Sequence, residues 1–175
     1  TKLFLSGSFS DSEPGSELEF FEVKGESKTF KLKITHPFIR SRSENLNGFI
    51  GYTNRDSETE ILGEKDSEDR LRIFNLGASY DFVDGYQGVN LLNFNLRKGF
   101  NIFDATETGS EKLTRSTGYS DFTKVTGEAL RLQQLAPSWM LLGKLSWQYS
   151  FEKLLASEEF GVGGAQFGRA YDSSE

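Results

Sequence analysis

Cysteine is absent from this 175-residue chain, and histidine occurs once, at His36. Without cysteine the chain forms neither disulfides nor thiolate metal sites. A Ser-His-Asp triad would need His36 as its base, and nothing in the surrounding sequence favours that role. The net charge of −6 and the pI near 5.0 argue against nucleic acid as a partner. These shortages exclude thiol chemistry and argue against nucleic acid; we further expect that the protein is not an enzyme and binds no cofactor or metal.

Long apolar runs are also lacking. Mean hydropathy is −0.49, and no stretch approaches the roughly 18 apolar residues that a spanning helix needs. A membrane β-barrel is not excluded by this, because half of each strand faces water and averages hide the pattern. There are only three prolines. All three are predicted to lie in connections, since proline removes a hydrogen bond from a sheet.

What the chain does contain is a long alternating segment at residues 139–151. Its odd positions are apolar or aromatic apart from one glycine, and its even positions are mostly polar. Side chains alternate faces along a strand, so the segment has one oily and one wet face. A strand that crosses a bilayer at a tilt needs roughly 9–11 residues, whereas soluble strands average about 5–6. The pattern predicts a membrane-spanning β-strand.

Six further segments show the same alternation: residues 2–9, 28–36, 46–54, 70–82, 89–102 and 122–133. The last one is irregular. Val125, Gly127 and Ala129 suit lipid in its first half. Leu130 and Leu132 suit lipid in its second half. A bulge near Ala129 or a wrong boundary would account for the change of parity.

The predicted connections alternate between long and short. The long ones, at residues 10–27, 55–69 and 103–121, hold 17 of the 26 acidic residues, whereas a tight turn is expected around Asp84 and Gly85. Transmembrane barrels have short periplasmic turns and longer extracellular loops. We therefore predict an all-β, antiparallel up-and-down meander of about seven long strands. Open edges are not tolerated in hydrocarbon, so the strands would belong to a larger closed barrel. A soluble β-sandwich, such as an adhesion or carbohydrate-binding module, remains the alternative.

The alternation also assigns side chains to the two faces. Aromatic residues predicted to face lipid, as interfacial girdles, are Tyr80, Phe82, Trp139, Trp147, Tyr149 and Phe151. Basic residues predicted to face the lumen are Lys31, Lys33, Arg97 and Lys144. These four either contact an extended polypeptide or pair with acids and keep the lumen wet. Lys98 interrupts the lipid face and is expected to snorkel near the membrane surface. Arg70 and Arg72 are candidates for binding lipopolysaccharide phosphates.

The end of the chain, LLASEEFGVGGAQFGRAYD, resembles the signature of the haemolysin secretion/activation transporters of the ShlB/FhaC/HecB type. The elements that carry the resemblance are Leu154, Leu155, Ser157, Glu158, Phe160, Gly163, Gly164, Arg169 and Tyr171. Two positions depart from the family pattern. Ala170 stands where the family usually has glycine, and Gly168 stands where it has valine or isoleucine.

The resemblance implies a sixteen-stranded transmembrane barrel in the bacterial outer membrane, preceded by two periplasmic POTRA domains that this chain does not contain. It implies a two-partner secretion transporter that carries an unfolded exoprotein, as a monomer among outer-membrane lipid and lipopolysaccharide. A long loop beginning near residue 152 would fold into the lumen. The lumen-loop residues would be Phe160, Gly163, Gly164, Gly168, Arg169, Tyr171 and Asp172.

The resemblance also suggests that Arg169 pairs with an acidic residue beyond Glu175. A guanidinium inside a lumen needs such a partner, and a bidentate carboxylate satisfies it best. The alternative is that Arg169 is an ordinary solvated loop residue. At the level of the whole protein, a passive porin with the same wall chemistry is the other alternative.

Overall fold

The computed structural model describes residues 1–13, 22–107 and 109–162, which form seven strands and one turn of 3₁₀ helix at Ala156–Glu158. The strands are β1 (Lys2–Ser12), β2 (Lys24–Arg40), β3 (Glu44–Ile61), β4 (Glu64–Val83), β5 (Val89–Gly99), β6 (Thr123–Ala136) and β7 (Trp139–Ser150). Each strand pairs antiparallel with the next, so the sheet order is the chain order. The predicted all-β meander is confirmed. Within the described ranges, no helix has the length and apolar character needed to span a membrane.

The register gives the sheet two chemically different faces. The apolar face carries the odd positions of β1, β6 and β7 and the even positions of β2–β5; the other side is the polar face. Alternation along each strand produces this division only because the pairing keeps like residues side by side. One row of the apolar face crosses all seven strands: Leu3, Ile34, Ile50, Leu76, Leu96, Val125 and Tyr149.

The apolar face is uncovered. Leu5, Leu76 and Leu145 leave 67%, 56% and 62% of their surface exposed. In the described part of the chain no second sheet packs on this face, since all seven strands belong to one sheet. The two-layer sandwich is therefore wrong for these residues. An uncovered apolar face of this extent requires a non-aqueous or protein neighbour.

The predicted girdle aromatics lie on the apolar face or at its end. Tyr80 and Phe82 stack with ring centres 4.8 Å apart, and Tyr149 meets Phe151 edge to face at 5.0 Å. Trp147 lies against Gly127 on the neighbouring strand, where a Cβ atom would come within 2.6 Å of the indole Cζ2. The bare glycine backbone gives the indole room to lie flat on the sheet.

The predicted long loop at residues 55–69 is wrong. β3 and β4 continue through it to Ile61 and Glu64, and only Leu62 and Gly63 connect them. Both have positive φ, +53° and +76°, as a two-residue type I′ hairpin turn requires. The charges misled the prediction because they lie in a strand extension with polar side chains on both faces. There they pair across strands, as Lys65 Nζ does with Glu58 Oε1 at 3.0 Å.

Two smaller predictions are also wrong. Pro37 lies inside β2, at a register shift between Pro37 and Ile39 that accommodates its missing N–H. The bulge of β6 lies between Gln134 and Ala136, not near Ala129. Up to this bulge, the odd positions of β6 face the apolar side and its even positions face the polar side, because β6 is paired without interruption on both edges. Leu130 and Leu132 therefore face the polar side. Pro137 does lie in a turn, while Pro14 is outside the described residues.

The predicted turn at Asp84 is present and is organised by the Asp84 carboxylate. This group accepts hydrogen bonds from the backbone N–H groups of Tyr86 and Gly88, both at 3.0 Å, and from Asn90 Nδ2 at 3.2 Å. It also pairs with Arg131. Arg131 and these hydrogen bonds hold the pKa of the Asp84 carboxyl at about 2, below its ordinary value of 3.8.

Acid should weaken this turn, and Asp84→Asn should remove the effect. The folded-state pKa is depressed, so the stabilisation from Asp84 is complete above pH 3.8 and is lost as the pH falls through about 2. We expect the unfolding temperature of the full-length protein, followed by its heat-modifiable gel mobility, to fall between pH 4 and pH 2. In Asp84→Asn that part of the profile should flatten. Asp66→Asn, an exposed change, is the control; equal profiles for both variants would refute the assignment.

Candidate functional site

The segment after β7 folds back over the polar face. Leu154 and Leu155 are buried, and they join Leu71, Ile73 and Phe122 in the hydrophobic core of the described residues. Leu71 and Ile73 belong to the polar-face parity of β4, so the segment covers that side of the sheet. Tyr119 N donates to Lys153 O at 2.9 Å, which ties the segment to the β5–β6 loop.

Glu152 sets the direction in which the chain leaves β7. Its Oε2 accepts a hydrogen bond from Thr123 N at 2.6 Å, and its carbonyl oxygen accepts one from Ser150 Oγ at 2.6 Å. Phe151 N donates to Thr123 O at 3.0 Å. These bonds end β7 against the start of β6, because backbone groups that leave the ladder must find other partners.

Glu158, in the 3₁₀ turn, carries a fully buried carboxylate. The guanidinium of Arg97 contacts both oxygens of this carboxylate: Nη2 donates to Oε1 at 3.1 Å, and Nη1 lies 2.9 Å from Oε2. Lys124 Nζ lies 2.8 Å from Oε2. Arg55 Nη1 donates to Oε1 at 3.3 Å. A buried carboxylate is stable only when it is paired in this way.

The backbone at Glu158 is bound as firmly as its side chain. Lys124 Nζ donates to Glu158 O at 2.6 Å, and Gln148 Nε2 donates to the same oxygen at 3.2 Å. Arg55 Nη1 donates to Ser157 O at 3.3 Å. We call Glu158, Arg55, Arg97, Lys124 and Gln148 the Glu158 site. Each of the four partners of Glu158 comes from a different strand: Arg55 from β3, Arg97 from β5, Lys124 from β6 and Gln148 from β7.

A further set of hydrogen bonds orients the fork of Arg97. Its Nε donates to Asn75 Oδ1 at 3.0 Å, and Asn75 Nδ2 donates to Thr53 Oγ1 at 3.3 Å. The guanidinium plane is therefore held from both sides. The arrangement fixes the position from which the chain continues after Glu158.

The four predicted lumen-facing basic residues share the polar face, but the structure does not bring them together. Of the four, Arg97 belongs to the Glu158 site. Lys33 Nζ lies 3.9 Å from the ring centre of Phe49, a cation–π contact. Lys144 Nζ pairs with Glu128 Oε2 at 3.3 Å. Lys31 occupies the same face two residues from Lys33.

Of the predicted lumen-loop residues the structure describes one, Phe160, which is 41% exposed. The others lie outside the described residues: Gly163, Gly164, Gly168, Arg169, Tyr171 and Asp172.

The prediction that Arg72 binds lipopolysaccharide is wrong, because Arg72 is buried. Its Nη1 donates to Asn54 Oδ1 at 2.7 Å and to Asp56 Oδ1 at 2.6 Å, and its Nε donates to Phe103 O at 3.0 Å. These partners leave no access for a phosphate. Arg70 is engaged too, by Glu68 at 2.7 Å and by Asp104.

Lys98 lies one residue from the end of β5, on the apolar face. Its ammonium group reaches the loop, where it donates to Asp121 O at 2.7 Å and to Thr123 Oγ1 at 3.0 Å. The charge therefore has protein partners rather than water alone, and the aliphatic stem covers apolar surface.

Sequence reasoning missed Arg55 and Lys124 and took Glu158 only as part of a motif. Arg55 fell in the supposed loop at residues 55–69, and the uncertain parity of β6 hid the side on which Lys124 lies. One available signal was Arg97 itself, since a cation predicted on an inner wall needs a counter-charge.

Comparison with known proteins comes from a family model and a solved structure. The model described as haemolysin secretion/activation protein ShlB/FhaC/HecB matches residues 2–174. CdiB from Escherichia coli superposes with a TM-score of 0.83 at 18% identity, over 98% of this chain and 32% of that one. The chain thus spans about a third of the length of that protein, and the likeness shows that the sheet is part of a β-barrel. No curated protein matches.

Proposed function

The chain belongs to the haemolysin secretion/activation protein family ShlB/FhaC/HecB, and from this membership we propose that it is part of an outer-membrane transporter that secretes a partner exoprotein. The transport would be two-partner, or type V, secretion. It would use neither nucleotide hydrolysis nor a cofactor. Folding of the exoprotein outside the cell would draw the chain forward, because burial of its apolar surface is favourable.

The apolar face supports the membrane placement. Its row of side chains crosses all seven strands, and five of the seven are exposed, as contact with acyl chains requires: Leu3, Ile34, Ile50, Leu76 and Tyr149. Trp139 lies at one end of β7, and Trp147, Tyr149 and Phe151 lie at or just beyond the other end, where each group would meet an interfacial region. Further strands of the whole protein would pair with the open edges of β1 and β7.

The observation that carries the proposal is the burial of Glu158 against the polar face. If this face lines the lumen, the segment after β7 enters the pore and is anchored there by three cations. The chain would then continue from Glu158 inside the barrel. Lys31, Lys33 and Lys144 would line the path of the unfolded exoprotein with polar, weak contacts.

The rest of the loop is proposed by family resemblance. Gly163, Gly164 and Gly168 would let the backbone bend or pack closely. Arg169 would pair with an acidic residue beyond Glu175, with Tyr171 and Asp172 beside it at the tip of the loop. Phe160 would lead from the Glu158 site toward this tip.

Arg169→Ala tests the proposal in the full-length protein. Loss of a charge-assisted hydrogen bond costs about 1.5–3 kcal/mol, so the inward loop should be destabilised by a factor of about ten or more. We expect a comparable fall in exoprotein secretion, measured in culture medium and in liposomes. Carbonate resistance and heat-modifiable mobility should be unchanged. The control Arg115→Ala removes an exposed arginine that pairs with Glu159.

Two results would count against this function. Unchanged secretion by a correctly assembled Arg169→Ala protein would remove any role for the loop tip. Absence of exoprotein transport by the wild-type protein, with solute conductance retained, would favour a passive porin.

A further inference from the structure

The Glu158 site holds more positive than negative charge. Arg55, Arg97 and Lys124 all lie within ion-pair distance of Glu158, and no other carboxylate of the described residues pairs with any of them. Three cations therefore share one carboxylate, which leaves an excess of two positive charges. These cations are shielded from water: their side chains are 23%, 20% and 4% exposed. Little solvent is present to compensate the excess.

The hydrogen-bond donors of the site locate where a second anion would bind. Arg97 donates hydrogen bonds from Nε to Asn75 and from Nη2 to Glu158 Oε1, and its Nη1 lies 2.9 Å from Glu158 Oε2. Lys124 Nζ contacts Gln148 Oε1, Glu158 O and Glu158 Oε2. Arg55 uses only Nη1, in two contacts of 3.3 Å. Its Nε and Nη2 have no partner among residues 1–13, 22–107 and 109–162.

The unused edge of Arg55 has the geometry for a carboxylate. Nε and Nη2 present parallel N–H donors, the fork that binds the two oxygens of a carboxylate. Arg55 is also the most exposed of the three cations, at 23% against 20% for Arg97 and 4% for Lys124. The neighbouring excess charge adds a local positive potential that attracts anions.

We propose that Arg55 is a docking site for a second carboxylate, an aspartate or glutamate side chain of the polypeptide that passes through the pore. This proposal rests on the proposed function. Partial exposure keeps the contact weak, so an acidic side chain binds and then leaves as the chain advances. A free carboxylate such as acetate shares the same chemistry, and the experiment separates the two sources.

The test uses the full-length protein in planar bilayers. Hexaglutamate is added as the probe, and the concentration that halves the pore current is measured. Arg55→Gln should raise this concentration about tenfold, the worth of one charge-assisted contact. The half-blocking concentration of Arg55→Lys should lie between those of the wild type and Arg55→Gln, since lysine keeps the charge and loses the paired N–H donors. Arg42→Gln, which removes an exposed arginine between β2 and β3, should match the wild type.

Glu158→Gln separates anion binding from simple loosening of the segment. It removes the competing carboxylate, so it should lower the half-blocking concentration, whereas Arg55→Gln raises it. If loosening alone were responsible, both variants would shift the value in the same direction, and the proposal would be overturned. Equal block of Arg55→Gln and wild type would overturn it as well.

The acetate arm decides the source of the ligand. If acetate at the same carboxylate concentration leaves the hexaglutamate block unchanged, the site prefers a polypeptide, as proposed. If acetate competes equally, Arg55 is a small-anion site and the polypeptide assignment is refuted. These readouts use no exoprotein, so a failure of secretion and a failure of anion binding are told apart.

Discussion

Glu158→Ala is expected to release residues 154–158 from the polar face, at a cost of about 3–5 kcal/mol. The variant leaves Arg55, Arg97 and Lys124 facing one another with no carboxylate between them. Removal of one partner from a buried charge cluster is costly, because the charges left behind have neither water nor a counter-ion.

The measurement is protease susceptibility of the segment in the assembled full-length protein, together with pore conductance. We expect faster cleavage near residue 160 and larger conductance, with the barrel still heat-modifiable. Glu159→Gln is a matched control, because the adjacent Glu159 forms an ion pair with Arg115 in which both side chains are 46% exposed. Such exposed pairs contribute about 0–1 kcal/mol. Equal cleavage of the two variants would show that Glu158 does not anchor the segment.

Among glycine-to-alanine substitutions in the described sheet, Gly99→Ala should be the most destabilising. A Cβ atom at Gly99 would overlap the backbone oxygen of Ser120 and lie 3.0 Å from Ser120 C and 3.2 Å from Phe122 Cδ1. Ser120 and Phe122 are buried and cannot step aside cheaply. The start of β6 would have to move, and the core around Leu155 with it. Overpacking of this kind costs about 1–3 kcal/mol or more.

The expected result for Gly99→Ala is a lower unfolding temperature of the full-length protein and easier proteolysis of the β5–β6 loop. Gly143→Ala makes the same chemical change in β7, where a Cβ atom meets nothing within 4 Å. That control should be neutral or slightly stabilising, because alanine loses less backbone entropy than glycine on folding. A Gly99→Ala protein as stable as Gly143→Ala would contradict the packing at this position.

The strands were predictable because alternation is a local property of the chain. An apolar row at every second position needs no knowledge of neighbours, and it was present in all the segments except residues 122–133, where the parity changed. Antiparallel order followed from short turns such as that at Asp84. Strand boundaries were less predictable where both faces of a strand are polar, as in β3 after Arg55 and in β4 before Arg70. There, charge looks the same in a loop and in a solvated strand.

The amino-acid sequence by itself determined the fold class, the number of strands and, through the motif near its end, the family. Only the tertiary structure decided the site. Glu158 meets Arg55 across 103 positions of chain and Arg97 across 61, and no local pattern specifies such a meeting. Local alternation selects a face for each side chain, whereas ion pairing depends on which segments fold back onto that face and on the depth at which water is excluded.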